Sequence, residues 1–364
     1  MSKSSYKIYG TTHEAWTAMK EAILGAKETI YWEMYILIDD EVGNGFLNIL
    51  EDKARQGLDV KLVLDYFGSF WISKKRINGL KASGVDIKMF QDRKIRICGF
   101  WKFFVRRNHR KILVVDENIG FIGGVNIQKH MKDWYDIQVV VRGTEVHSLL
   151  RAFARSYIMC GGKRKEVRHL LKYKFRVAKQ GVEFIYDRAG GSKRSRAKKR
   201  YAEALLKARE RVILFSPYYF PGKDLRRAMW KAKKRGVRVD LIIPFRADVK
   251  IANYVNYAKL SLMEKLGVNV HLSKQMMHGK GVLVDDDWAM VGSSNMDQVS
   301  FYENHEANIK LDDKKVVRKL KKILNHWIAG SQKFHSKEWK KRGRVQKFME
   351  WISLKLYKYW FKVK

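Results

Sequence analysis

Apolar positions along the chain fall into two alternating patterns. Short continuous runs at 30–37 (IYWEMYIL), 60–64, 212–215 and 237–243 read as buried strands. Between them, 45–55 places Phe46, Leu47, Ile49 and Leu50 on one side of a helix, and 223–234 reads as a basic helix. Strand and helix patterns in alternation predict an α/β fold.

The order occurs twice. ARQGLDVKLVLD (54–65) matches KKRGVRVDLIIP (233–244), and GVDIKMF (84–90) matches GVNVHLS (267–273). NHRKILVVDENIGFIGGVNI (108–127) matches MHGKGVLVDDDWAMVGSSNM (277–296). The chain is thus a duplication. From His109 to His278 the offset is 169 residues, but from Gly84 to Gly267 it is 183. The first half therefore carries an insertion before its histidine, within the basic and aromatic stretch 93–108 (RKIRICGFWKFFVRRN). Domains are predicted at 1–160 and 183–330, with a basic connector at 161–182 and a tail at 331–364.

Composition adds partners rather than fold. With 75 Lys plus Arg against 37 Asp plus Glu, the formal net charge is +38. That suits nucleic acid, an anionic membrane surface or a polyanionic substrate, and equally a plain Lys-rich surface. Apolar residues at 46% exclude a disordered chain, and Cys98 with Cys160 make no disulfide framework. No stretch approaches about 18 uncharged apolar residues, so no transmembrane helix is expected. The start of the chain lacks the apolar core of a signal peptide.

The duplicated stretch carries the candidate chemistry. Both copies fit H-x-K-x4-D-x6-G-[GS]-x-N. The first supplies His109, Lys111, Asp116, Gly123, Gly124 and Asn126; the second supplies His278, Lys280, Asp285, Gly292, Ser293 and Asn295. A lone strand histidine is usually structural, but two copies at one spacing indicate a site. Residues two apart in a strand share a face, so each imidazole is predicted to point with its ammonium. Asn126 and Asn295 add amide donors for a phosphate, and the glycines permit close backbone approach. Two such half-sites hold enough positive charge to stabilise a pentacoordinate phosphorus, and no zinc-ligand spacing is present, so no cofactor or metal is expected. Asp116 and Asp285, part of the motif's catalytic set, read as holding the turn after each strand.

With its paired HKD motifs the chain resembles the phospholipase D superfamily over about residues 6–312. More narrowly, MYILIDDEVG (34–43), DVKLVLDYFGS (59–69), SPYYFPG (216–222) and GSSNMDQVSFYENHEAN (292–308) resemble bacterial cardiolipin synthases. Where many of these read N-x-D-x-R-S, Val299 replaces the Arg here, as in a short subgroup without N-terminal membrane helices. The resemblance implies two fused domains, each a mixed sheet flanked by helices, related by a pseudo-two-fold axis with the active site at their interface. It implies double displacement, with His109 as nucleophile and His278 as acid and base. It also implies that Asp136 and Glu306 each orient the histidine of the opposite half. The implied reaction joins two phosphatidylglycerol molecules into cardiolipin and releases glycerol, at the cytoplasmic face of a bacterial membrane. A superfamily nuclease remains the rival class, since its chemistry and charge would be the same, although no nucleic acid is required.

A route to lipid is also visible. The tail places Val345, Phe348, Met349, Ile352, Leu356, Tyr359 and Trp360 on one helical face among lysines, with Trp351 beside it. This reads as an interfacial helix, or as one docking that face on the core. Phe100, Trp101, Phe103 and Phe104 in the insertion are a second candidate membrane contact. No partner protein is identifiable from the residues.

Overall fold

The structure is a computed structural model describing residues 5–91, 106–173, 181–190 and 195–360. Phe100, Trp101, Phe103 and Phe104 lie outside the described residues, as does the side chain of Trp360.

In the first half the strands are β1 (Ser5–Thr11), β2 (Thr29–Met34), β3 (Asp59–Asp65), β4 (Asp86–Phe90), β5 (Ile112–Val115), β6 (Ile119–Gly123) and β7 (Tyr135–Arg142). They form one sheet in the order β1-β7-β6-β5-β2-β3-β4. In the second half they are β8 (Val182–Asp187), β9 (Arg211–Phe215), β10 (Arg238–Pro244), β11 (Val268–Ser273), β12 (Gly281–Val284), β13 (Trp288–Gly292), β14 (Glu306–Leu311) and β15 (Ser331–Lys333). Their order, β8-β14-β13-β12-β9-β10-β11-β15, repeats the first and adds β15 at the edge. Each sheet is parallel across β2-β3-β4 or β9-β10-β11 and antiparallel through its motif hairpin. The two mixed sheets make the fold α/β, as the alternating pattern predicts.

Local chemistry sets where elements stop. The helix predicted at 45–55 begins earlier, at Glu41, because the Asp40 carboxylate accepts from Gly43 N at 2.9 Å and caps it. The apolar run at 30–37 stays a strand only to Met34. Beyond it the backbone donors find side chains instead. Ile36 N donates to Asn126 Oδ1 at 3.3 Å and Leu37 N to Ser69 Oγ at 3.1 Å. The pairing partner is lost, so the chain turns into the cleft.

β6 and β7 pack on β13 and β14, so the two sheets meet across the duplication. One apolar cluster joins them, containing Ile112, Ile122 and Ile137 of the first half with Phe215, Val291 and Trp327 of the second. Tyr135 and Trp327 stack with ring centroids 5.3 Å apart. Shared burial of this kind favours one fixed arrangement of the halves.

The C-terminal helix Arg344–Trp360 packs on the helix Lys250–Lys265. The apolar stripe as a whole does not dock on the core, since Val345, Phe348, Leu356 and Tyr359 are exposed. Glu350 and Ser353 are the buried residues, Arg342 pairs with Glu350 at 2.5 Å, and Gln298 N donates to Tyr357 Oη at 3.3 Å. Glu350 is paired within the tail itself, while Tyr357 reaches out of it to Gln298 and packs on Phe220 with ring centroids 4.5 Å apart. Phe348, Trp351 and Tyr359 stay exposed, while Ile352 is half-buried.

Candidate active site

The two motif histidines meet in one cavity of about 420 Å³ between the halves. Backbone pairing across the duplication brings them there. His109 N donates to His305 O at 3.0 Å, and His278 N donates to Tyr135 O at 2.7 Å. Each acceptor immediately precedes a carboxylate residue, so each pairing delivers a carboxylate to the opposite imidazole. His109 Nδ1 lies 3.1 and 3.0 Å from Glu306 Oε1 and Oε2, and His278 Nδ1 lies 2.7 Å from Asp136 Oδ2. With both Nδ1 atoms engaged, each Nε2 is left for a substrate.

The glycine pairs explain themselves in this geometry. A Cβ on Gly124 would sit 2.2 Å from Asp136 Oδ1, so only glycine leaves room for that carboxylate. At the matching position of the second half, Ser293 Oγ donates to Glu306. The two carboxylates are therefore held differently, although their histidines match.

The lysines depart from the prediction that they point with the imidazoles. Lys111 Nζ donates to His109 O at 2.7 Å, and Lys280 Nζ donates to His278 O. Both are buried, and neither lines the cavity. The segment before β5 is not regular strand, so the two-residue alternation does not fix their direction. Their charge still bears on the site, since both lower His109.

Asp116 and Asp285 belong to the far end of the hairpins, not to the cavity. The Asp116 carboxylate accepts from Lys27, Glu28 and Thr29 N at 2.9–3.2 Å, and Asp285 from Arg209, Glu210 and Arg211 N at 2.7–2.9 Å. Both have positive φ, as do Glu117 and Asp286, so each pair forms the two-residue turn suited to a hairpin. Asn126 and Asn295 do line the cavity. Asn295 Oδ1 has no partner among the described residues, and an amide flip would turn Nδ2 toward a bound phosphate.

Charge separates the two histidines. Burial, then Lys111, Lys280 and His278, hold His109 well below the ordinary imidazole value. Burial and Lys280 also lower His278, but Asp136 works against them. Burial raises Asp136, yet His278 and Lys280 outweigh it and the carboxyl stays below its usual range. Glu306 is pushed up to about 7 by burial, against Lys111 and Ser293. Lys280 is lowered to about 8 by burial. The His278–Asp136 pair thus suits a proton carrier, and His109 suits a neutral nucleophile.

Sequence reasoning missed several neighbours. Tyr35 meets the His109 ring edge-on at 4.8 Å, and Trp134 lies 5.6 Å from the His278 ring. Arg107, Asp248, Asp297 and Tyr357 also line the cavity. Tyr35, Arg107 and Asp297 lie in stretches that carry the resemblance or the basic insertion, but no spacing rule marks them as facing the histidines. Among the described residues no cluster of three or more His, Cys, Asp or Glu is arranged for a metal ion.

The geometry agrees with comparisons to known proteins. The family described as "Cardiolipin synthase, PLD-like domain" matches residues 19–157 and 201–328. Cardiolipin synthase 2 of Bacillus anthracis is 30% identical over 349 residues, covering 93% of this chain and 67% of that protein. Cardiolipin synthase B of Salmonella typhimurium is 32% identical over 324 residues, covering 87% and 78%. The phosphatidylserine synthase of Haemophilus influenzae shares the fold with a TM-score of 0.73 at 17% identity, covering 97% of this chain and 92% of that one. With both motif segments matched and relatives at this identity along most of its length, the chain belongs to the phospholipase D-like cardiolipin synthase family.

Proposed function

We propose that the chain is a phosphatidyltransferase that joins two phosphatidylglycerol molecules into cardiolipin, with His109 as nucleophile and His278 as acid and base. The observation that carries the roles is the unequal charge around two histidines sharing one cavity. In the first step His109 Nε2 attacks the donor phosphorus. A P–N bond forms, the P–O bond to glycerol breaks, and the leaving oxygen takes a proton from His278. In the second step a hydroxyl of another phosphatidylglycerol returns a proton to His278 and attacks phosphorus. The P–N bond breaks and His109 is restored. Lys111, Lys280 and the amides of Asn126 and Asn295 stabilise the charge gathered on the phosphoryl oxygens.

The enzyme meets its lipid at a membrane surface. Among the described residues no helix is long and apolar enough to cross a bilayer. Exposed apolar groups border the cavity instead. Phe67, Val249 and Ile251 are cavity-lining and exposed, and Phe67 belongs to a loop with Phe70 and Trp71, the latter 74% exposed. Tyr357 brings the C-terminal helix to the same cavity, with Phe348, Trp351 and Tyr359 facing water. Such a rim suits entry into the headgroup layer, and the cytoplasmic leaflet is the side proposed.

The test is trapping with phosphatidylglycerol labelled in its acyl chains. The intact protein yields labelled protein and labelled cardiolipin, and His109→Ala yields neither. Labelled His109→Ala protein would move the nucleophile elsewhere. No lipid product, together with cleavage of single-stranded DNA, would favour the nuclease reading.

A further inference from the structure

The geometry points to Arg107 as the binding site for the second lipid's phosphate, the one that stays intact during transfer. This rests on the phosphatidyl-transfer reading and deepens it.

Cardiolipin contains two phosphodiesters separated by a three-carbon glycerol bridge. The histidine pair acts on one of them. The acceptor brings the other, still negative, into the same cavity. Two anions so close repel in a site largely screened from water, so the acceptor phosphate needs its own cation. Lys111 and Lys280 each donate to a motif-histidine carbonyl and, in the proposed mechanism, serve the reacting phosphorus. Arg107 is the one Lys or Arg among the described residues that line the cavity.

Its placement fits the task. Asn108 bridges His305 in a parallel pairing, so residues 107–109 run extended. Arg107 O accepts from His305 N at 2.8 Å, and Arg107 N donates to Asn304 Oδ1 at 3.2 Å. Two residues of extended chain separate it from His109, about 6.6 Å along the backbone. Both side chains line the same cavity, so one lipid can meet both. The guanidinium lies 4.5 Å over the Phe67 ring, and the side chain is largely buried. The ring contact holds the guanidinium at the cavity wall, and a guanidinium is a cation whose donors match phosphate oxygens. The second half lines the cavity with Asp248 and Asp297, carboxylates that repel a phosphate and accept from hydroxyls. The intact phosphate is therefore directed to the Arg107 side.

In the second step the acceptor hydroxyl gives its proton to His278 and bonds to phosphorus as the P–N bond to His109 breaks. The acceptor's own phosphodiester is unchanged and remains on Arg107. A neutral acceptor such as glycerol needs no such contact, so Arg107 separates lipid acceptors by their phosphate.

Two assays on phosphatidylglycerol vesicles test this. One follows cardiolipin formation; the other follows exchange of radiolabelled free glycerol into phosphatidylglycerol. In Arg107→Gln the ratio of condensation to exchange should fall at least tenfold, with phosphatidic acid rising as water captures the intermediate. Arg107→Lys should fall between the two. An unchanged ratio in Arg107→Gln removes the subsite while leaving the phosphatidyl-transfer reading intact. The intact enzyme provides a check that needs no variant. Offered phosphatidylglycerol and a neutral monoacylglycerol as competing acceptors, it should prefer the phosphate-bearing lipid at least tenfold. Equal use of both overturns the subsite. An intact enzyme that neither condenses nor exchanges overturns both readings together.

Discussion

Glu306 is fully buried, yet in the proposed mechanism it serves an imidazole that becomes charged during turnover. Its value of about 7 stands above the 4.5 of a free glutamate, because burial disfavours the carboxylate more than Lys111 and Ser293 favour it. For a raised value, stability is greatest below 4.5 and declines as pH rises through 7. Glu306→Gln removes that loss. Against the parent, the variant's unfolding free energy should gain from pH 4.5 to 7 and then level off, by about 1–3 kcal/mol. Its turnover should fall about 10- to 100-fold, because an amide holds the His109 ring but cannot offset its charge. Denaturant melts across pH 4–8 check this; a stability difference that is flat with pH would mean Glu306 does not titrate there. At this scale the histidines, lysines and asparagines were legible from duplicated spacing. Asp136 and Glu306 were expected through the family resemblance, 27 and 28 residues beyond their histidines. Arg107, Tyr35 and Trp134 were not, because their roles arise from contacts made only when distant segments fold together.

The hairpin that follows each histidine is an element held from outside its own strands. Asp116 reaches back to the backbone at the start of β2, and Asp285 does the same at β9, so each clip fastens the motif hairpin to the neighbouring antiparallel strand. Removing one carboxylate strands three backbone donors at a partly exposed edge. Asp116→Ala should cost about 2–3 kcal/mol of stability, and Asp116→Asn less, since it keeps an acceptor. Turnover per folded molecule should stay within about twofold, because β5 alone puts about 13 Å between this turn and the cavity. Calorimetry and an active-site titration with labelled lipid separate the two effects; a large loss of turnover in folded enzyme would return Asp116 to the chemistry. The elements themselves were mostly readable, since buried Val, Ile and Leu runs mark the central strands. The lysine direction was misread because alternation holds only inside regular strand, and Lys111 precedes it. The C-terminal helix was recognised as amphipathic, but that Glu350 and Ser353 are buried and Tyr357 meets Gln298 is set by contacts with distant segments, which periodicity does not reveal.

For the whole molecule, the proposed membrane contact draws on two independent forces. The net charge of +38 attracts anionic lipid at long range and is screened by salt. The exposed aromatics around the cavity act only on contact, through area removed from water. Separating them needs one variant and one salt series. Trp71 and Tyr359 are 74% and 80% exposed, and neither lines the cavity, so a Trp71→Ser/Tyr359→Ser protein should fold and process detergent-solubilised phosphatidylglycerol as the parent does. On phosphatidylglycerol vesicles its partitioning should drop about tenfold or more, the loss of roughly 1.5–3 kcal/mol for one buried aromatic. Raising salt should weaken parent and variant by the same factor, since the substitutions leave the charge unchanged. Vesicle sedimentation reads both quantities. Equal partitioning of parent and variant would mean that charge alone holds the protein to the surface and that the aromatic rim plays no part. A salt response confined to the parent would instead tie the aromatics to the electrostatic contact, contrary to two separable forces. The duplication predicted from letters accounts for the two sheets and the shared cavity, but not for this rim. Its side chains come from loops and a tail that the repeat does not contain, and their exposure is fixed only once the core is packed.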